Sequence, residues 1–135
     1  MSSVLVDSNV LLDVLGGDGA WTAWSAGALA SAAETSRIVI NPIIYAEVSV
    51  RYSRIEDLEA ALRPDLFARE PIPYRAAFLA AKVVYVLYQR RGGSRPSPLP
   101  DFFIGAHAAG ANFRLLTRDR GRYRTYFPNL VLITP

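Results

Sequence analysis

The chain has 135 residues and a formal net charge of +3, a length that suits one domain spanning residues 1–135. Hydrophobic residues make up 51% and charged residues 20%, which excludes intrinsic disorder. With no cysteine and one histidine, disulfide scaffolds, thiolate metal sites, cysteine nucleophiles and histidine-rich zinc sites are excluded.

No run approaches the roughly 20 apolar residues that span a bilayer. Asp7 interrupts the first apolar stretch too early for a signal peptide, so a soluble, cytoplasmic protein without membrane contact is expected. Val4-Leu5-Val6 reads as a buried strand. Ser8 to Leu12 opens a helix, with Asp7 or Ser8 as its cap, and Gly16-Gly17-Asp18-Gly19 breaks it. Residues 20–35 are alanine-rich and predict a second helix, with Trp21 and Trp24 on one face. Residues 37–40 are the next strand. Asn41-Pro42 starts a third helix, the asparagine capping and the proline at the first helical position; it carries Glu47 and fades near Ser53.

Residues 55–63 predict a short charged helix, and Pro71-Ile72-Pro73 at best a short edge strand. Residues 74–91 are the longest helix, apolar nearly all round, so one side is expected to meet another chain. A Gly/Pro/Ser loop runs from Gly92 to Pro100. Asp101 opens a helix over 101–111, residues 113–116 form a strand leading to Thr117-Arg118-Asp119, and residues 130–133 close the chain as the last strand. Apolar runs alternating with helical patterns predict an α/β fold: a mostly parallel sheet of four to five short strands with helices on both faces. In such sheets, sites lie beyond the carboxyl ends of the strands, where strand order reverses.

Four acids fall at such places. Asp7 and Asp119 follow strand ends, Asp101 begins the helix feeding the strand before Asp119, and Glu47 lies on the helix after strand 37–40. Two carboxylates about 4 Å apart repel by roughly 4 kcal/mol near a protein surface. Four on one rim are untenable unless protonated or neutralised by cations, and Mg²⁺ or Mn²⁺ prefers such hard oxygen donors. A bound divalent ion can activate water against a phosphodiester, chemistry that needs neither cysteine nor a second histidine. Taken singly, Asp7, Asp101 and Asp119 also suit helix caps, and Glu47 could pair with Arg51 one turn on.

Four segments in order, Val4-Leu5-Val6-Asp7-Ser8-Asn9-Val10-Leu11-Leu12, Asn41 to Val48 around Glu47, Pro100 to Ala108 behind Asp101, and Leu115-Leu116-Thr117-Arg118-Asp119, resemble the PIN-domain family, specifically the VapC toxins of bacterial toxin–antitoxin modules. The resemblance covers nearly the whole chain. It implies a PIN-like three-layer fold with the four acids around one Mg²⁺ pocket: Asp7 and Asp101 as direct ligands, Asp119 completing the site directly or through water, and Glu47 binding a second ion or orienting the attacking water. Asn9 and Thr117 match supporting polar positions, and Ser8 stands where threonine is frequent. The implied activity is hydrolysis of RNA by water, leaving a 5′-phosphate and a 3′-hydroxyl, in a homodimeric toxin inhibited by a VapB-like antitoxin. A housekeeping RNA-processing nuclease and a non-catalytic binding module are the alternatives.

All basic residues but Lys82 are arginine. Arg118, Arg120, Arg122 and Arg124 could contact RNA phosphates or form a solvated helix face. Arg90, Arg91 and Arg95 are a weaker patch. His107 lies six residues from Asp101, roughly 120° around the helix, and is expected to be structural. Trp21 and Trp24 are expected to pack in the core or to line a groove for a partner helix.

Overall fold

A computed structural model describes residues 2–90, 92 and 99–135, without the side chain of Tyr88. Arg91, Arg95 and most of the Gly92–Pro100 loop lie outside the described residues. Five strands, β1 (Ser2–Val6), β2 (Ser36–Ile40), β3 (Ala68–Arg69), β4 (Arg114–Leu116) and β5 (Leu132–Ile133), form one sheet in the order β3-β2-β1-β4-β5. Every pairing is parallel. Among the described residues, seven helices flank it: α1 (Ser8–Gly16), α2 (Thr22–Thr35), α3 (Pro42–Ser49), α4 (Ile55–Ala61), α5 (Tyr74–Arg90), α6 (Leu99–Gly110) and α7 (Arg120–Tyr126).

The central strands are apolar on successive residues, not alternate ones, and Val4, Leu5, Val6, Val39, Ile40, Leu115 and Leu116 are all buried. That pattern marks a sheet covered on both faces. Leu5 pairs with Val39 on one side and Leu115 on the other, so β1 is the axis of the sheet. The chain runs outward from β1 through β2 to β3, then returns to β4 on the opposite flank. Strand order therefore reverses beside β1, and Asp7 and Thr117 follow the two strands that meet there.

Local chemistry explains most boundaries. Asp7 accepts the Ser8 N–H at the start of α1, and Gly17 ends that helix in the left-handed region at φ 79°, a conformation glycine adopts without steric cost. Asn41 caps α3 by accepting the Ile44 N–H at 3.0 Å, with Pro42 in the first turn. Five expectations shift. The third edge strand is Ala68–Arg69, not residues 71–73: the prolines have no N–H to offer, whereas Glu70 donates to the Ile40 carbonyl at 3.0 Å. α6 begins at Leu99, so Asp101 lies within its first turn and is not its cap. α3 ends at Ser49, whose hydroxyl bonds back to the Tyr45 carbonyl. α2 starts at Thr22, so Trp21 precedes the helix. Residues 120–126 form α7, capped by Asp119.

Candidate metal centre

Asp7 is the most enclosed of the four acids, at 4% exposure. Its backbone N–H is tied to the Leu116 carbonyl at 2.9 Å, which fixes it between β1 and β4. One carboxylate oxygen accepts the Ser8 N–H at 2.8 Å, and the other accepts the Thr117 hydroxyl at 2.8 Å. Thr117 is a hub, for its oxygen also accepts the Asp119 N–H at 3.0 Å and the Asn9 amide at 3.3 Å. Asn9 in turn accepts the Arg118 N–H at 3.3 Å. These bonds lock the β1 and β4 ends together and aim the Asp7 carboxylate.

Glu47 reaches the same place from α3 and accepts the Ser8 hydroxyl at 2.9 Å. Ser8, and not Arg51, thus orients it. Asp101 enters from the first turn of α6 and pairs with the Arg122 guanidinium. Asp119 lies across that guanidinium at 3.3 Å and accepts the Arg122 N–H at 3.2 Å. Its helix-cap function is therefore real and coexists with its place in the cluster.

Burial and neighbouring charge set the ionisation of these acids. Burial pushes the Asp7 carboxyl up to about 6, with the Asp101 charge adding to the shift and the Thr117 and Ser8 bonds and the nearby Tyr123 hydroxyl opposing it. Burial likewise raises Glu47, again with help from Asp101 and against the Ser8 bond. The bond to Asp101 above all holds Arg122 protonated, and the charges of Asp101 and Asp119 add to it. Beneath them lies Tyr123 of α7, completely buried. Its hydroxyl faces the Asp7 carboxylate but makes no hydrogen bond of full length and angle. Burial, then the charges of Asp7, Asp101 and Glu47, raise its pKa beyond any working pH.

Among the described residues, no three His, Asp or Glu side chains stand close enough, as oriented, to hold a metal ion between them. Arg122 draws Asp101 and Asp119 onto itself instead. The donor set nonetheless fits a hard divalent cation: oxygen donors only, a buried carboxylate resisting ionisation for want of positive charge, and an orphaned buried hydroxyl beside it.

The other expected residues divide. Arg118 is committed to Asp13, with bonds of 2.5 and 3.0 Å, and its guanidinium lies 5.4 Å over the Trp21 ring. Ser25 also bonds Asp13 at 2.6 Å, so this knot ties α1, α2 and the β4–α7 turn together. Arg120 and Arg124 are exposed. Trp21 is exposed and meets the half-buried Trp24 edge-on at 6.4 Å. His107 is buried, and its Nδ1 faces the Asn41 amide at 3.0 Å. Since the Asn41 oxygen already serves Ile44, its nitrogen donates and Nδ1 accepts, leaving a neutral ring that burial keeps neutral. A groove of about 460 Å³ lined by Ser8, Leu12, Glu47, Val50 and Arg51 opens beside the acids. Sequence reasoning missed Tyr123 and Asp13; the spacing of Arg122 and Tyr123 after the capping Asp119 was the available signal.

A family profile described as the PIN domain matches residues 4–128. No curated protein matches the chain. Among solved structures, the chain is similar to VapBC2 from Rickettsia felis bound to a promoter DNA fragment, with TM-score 0.74, 17% identity and 98% of each chain covered. It is also similar to VapBC-1 from nontypeable Haemophilus influenzae, with TM-score 0.72, 17% identity, and 98% of this chain and 97% of that one covered. A toxin–antitoxin complex from Klebsiella pneumoniae aligns with TM-score 0.65 and 24% identity, over 98% of this chain and 97% of that one.

Proposed function

The chain belongs to the PIN-domain family, and from that premise we propose that it is a Mg²⁺- or Mn²⁺-dependent endoribonuclease, the toxin of a toxin–antitoxin pair. One observation carries the reading. Beside the point where sheet order reverses, the charge of Asp101 adds to the burial that raises both Asp7 and Glu47, and Arg122 is the cation paired with Asp101 and Asp119 there. The complexes in which the similar folds occur support the toxin role.

In this reading Asp7 and Asp101 hold the ion, Asp119 completes the site directly or through water, and Glu47 takes a second ion or orients the attacking water. A divalent ion held there would supply a nucleophile at neutral pH and offset charge on the phosphodiester. Thr117 and Ser8 keep the Asp7 carboxylate ionised and aimed, and Ser8 also holds Glu47. Tyr123 offers its hydroxyl proton to whatever oxygen stands beside Asp7. Arg120 and Arg124, exposed on α7, attract the RNA backbone toward an acidic pocket that would otherwise repel it. The groove beside Glu47 suits a segment of the antitoxin, and the exposed Trp21 offers an apolar contact to such a partner. Tyr74, Phe78, Tyr85 and Val86 leave an apolar face of α5 exposed, which suits a homodimer.

The test is incubation of the purified chain with RNA in Mg²⁺ or Mn²⁺, followed by analysis of product ends. Cleavage leaving 5′-phosphates and abolished by EDTA supports the reading. RNA binding without cleavage contradicts it and favours a binding module. Growth arrest on expression, relieved by co-expression of an adjacent small gene, supports the toxin role; normal growth with EDTA-sensitive cleavage points to a housekeeping nuclease instead.

A further inference from the structure

We propose that Arg122 is a built-in counter-cation that keeps the place of the divalent ion between Asp101 and Asp119, and gives it up when an RNA phosphate arrives. This rests on the metal site proposed above. The guanidinium bonds Asp101 on one side and stands 3.3 Å from Asp119 on the other. It therefore occupies the carboxylate oxygens that an ion would need, and two cations cannot share them without repulsion. Its backbone is fixed, because its N–H is the bond by which Asp119 caps α7. Only the side chain can leave, and at 38% exposure it has solvent to leave into.

Arg118 shows the contrast. Its guanidinium is paired twice to Asp13 and lies over Trp21, so it is a structural strut. The ion pairs described for Arg122 are with the acids themselves. A guanidinium fork matches phosphate as well as it matches carboxylate. An arriving RNA phosphate thus offers Arg122 a second seat and uncovers Asp101 and Asp119 together. Metal and polyanion then bind cooperatively, and by linkage each tightens the other by the same factor. Without substrate, the acids stay satisfied and the ion binds weakly.

Calorimetric titration of Mn²⁺ into wild type, R122Q and R122K separates the possibilities, each with and without a short single-stranded phosphorothioate oligonucleotide. Without oligonucleotide, R122Q should bind Mn²⁺ about tenfold more tightly than wild type, and the oligonucleotide should tighten wild type at least about fivefold but R122Q hardly at all. R122K, which keeps the charge, should stay near wild type and shows that the site tolerates substitution. Equal or weaker Mn²⁺ binding by R122Q, or equal tightening of both proteins, overturns this proposal and leaves the metal site standing. Absence of Mn²⁺ binding by all three, with or without oligonucleotide, overturns both.

Discussion

Asp7 concentrates the tension of the site in one side chain. It is buried, its carboxylate accepts two hydrogen bonds, from the Ser8 N–H and the Thr117 hydroxyl, and still its carboxyl is held at about 6 against an ordinary 3.8. A carboxyl raised in the folded state favours folding below its unfolded pKa and opposes it above the folded one. The metal-free protein should therefore lose stability as pH rises from about 4 to about 6, by about 3 kcal/mol from this group. Urea unfolding across that range checks the slope, and D7N should flatten it. At pH 7 D7N should stabilise the metal-free chain by about 1–3 kcal/mol while lowering RNA cleavage at least about a hundredfold. Thermal melts and a cleavage assay on the same preparation test both halves. The positions of the four acids relative to strands and helices were legible in the sequence because each follows a recognisable strand or helix signal. Arg122 between Asp101 and Asp119 was not, because a flexible guanidinium's destination depends on where α7 packs.

At the scale of elements, α6 and α7 decide whether Asp101, Arg122 and Tyr123 meet. Gly105 lies on α6 where a Cβ would fall 2.3 Å from the Phe127 ring at the end of α7. Phe127 is itself buried, so the ring has nowhere to retreat. G105A should cost about 1–3 kcal/mol through overpacking and should displace α7, weakening cleavage as well. Chemical denaturation and the near-ultraviolet signal of Tyr123 and Tyr126 would register the two effects. Periodicity and caps placed α1, the start of α3, α5 and the central strands well, since Asp7, Asn41-Pro42 and Gly17 act locally. It failed at β3, where the edge strand is only two residues long and draws its identity from pairing with Val39 and Ile40. α7 was equally hard to assign, for its arginines carry no apolar stripe; its place comes from the burial of Tyr123 and Phe127.

For the molecule as a whole, the alternating apolar and helical segments sufficed to predict a parallel α/β sheet. Strand order did not follow from them, because which edge β3 and β5 occupy is fixed by packing between distant segments. The helix expected to be apolar nearly all round buries one apolar side and leaves another open: Ala76 and Ala80 are buried, whereas Tyr74 is 96% and Phe78 66% exposed. That open face should pair two copies of the chain, and F78E with Y85E should yield monomers that keep their fold. Sedimentation equilibrium on wild type and the double variant decides it, and a wild-type monomer at high concentration would count against the dimer.

Anomalous diffraction from a crystal soaked in Mn²⁺ bears most directly on the oxygen-lined centre from which the whole account descends. The expected result is a manganese peak in contact with Asp7 and Asp101, with the Arg122 side chain swung aside from Asp101. A well-diffracting crystal with no peak there, or with manganese bound only at remote surface carboxylates, would contradict it.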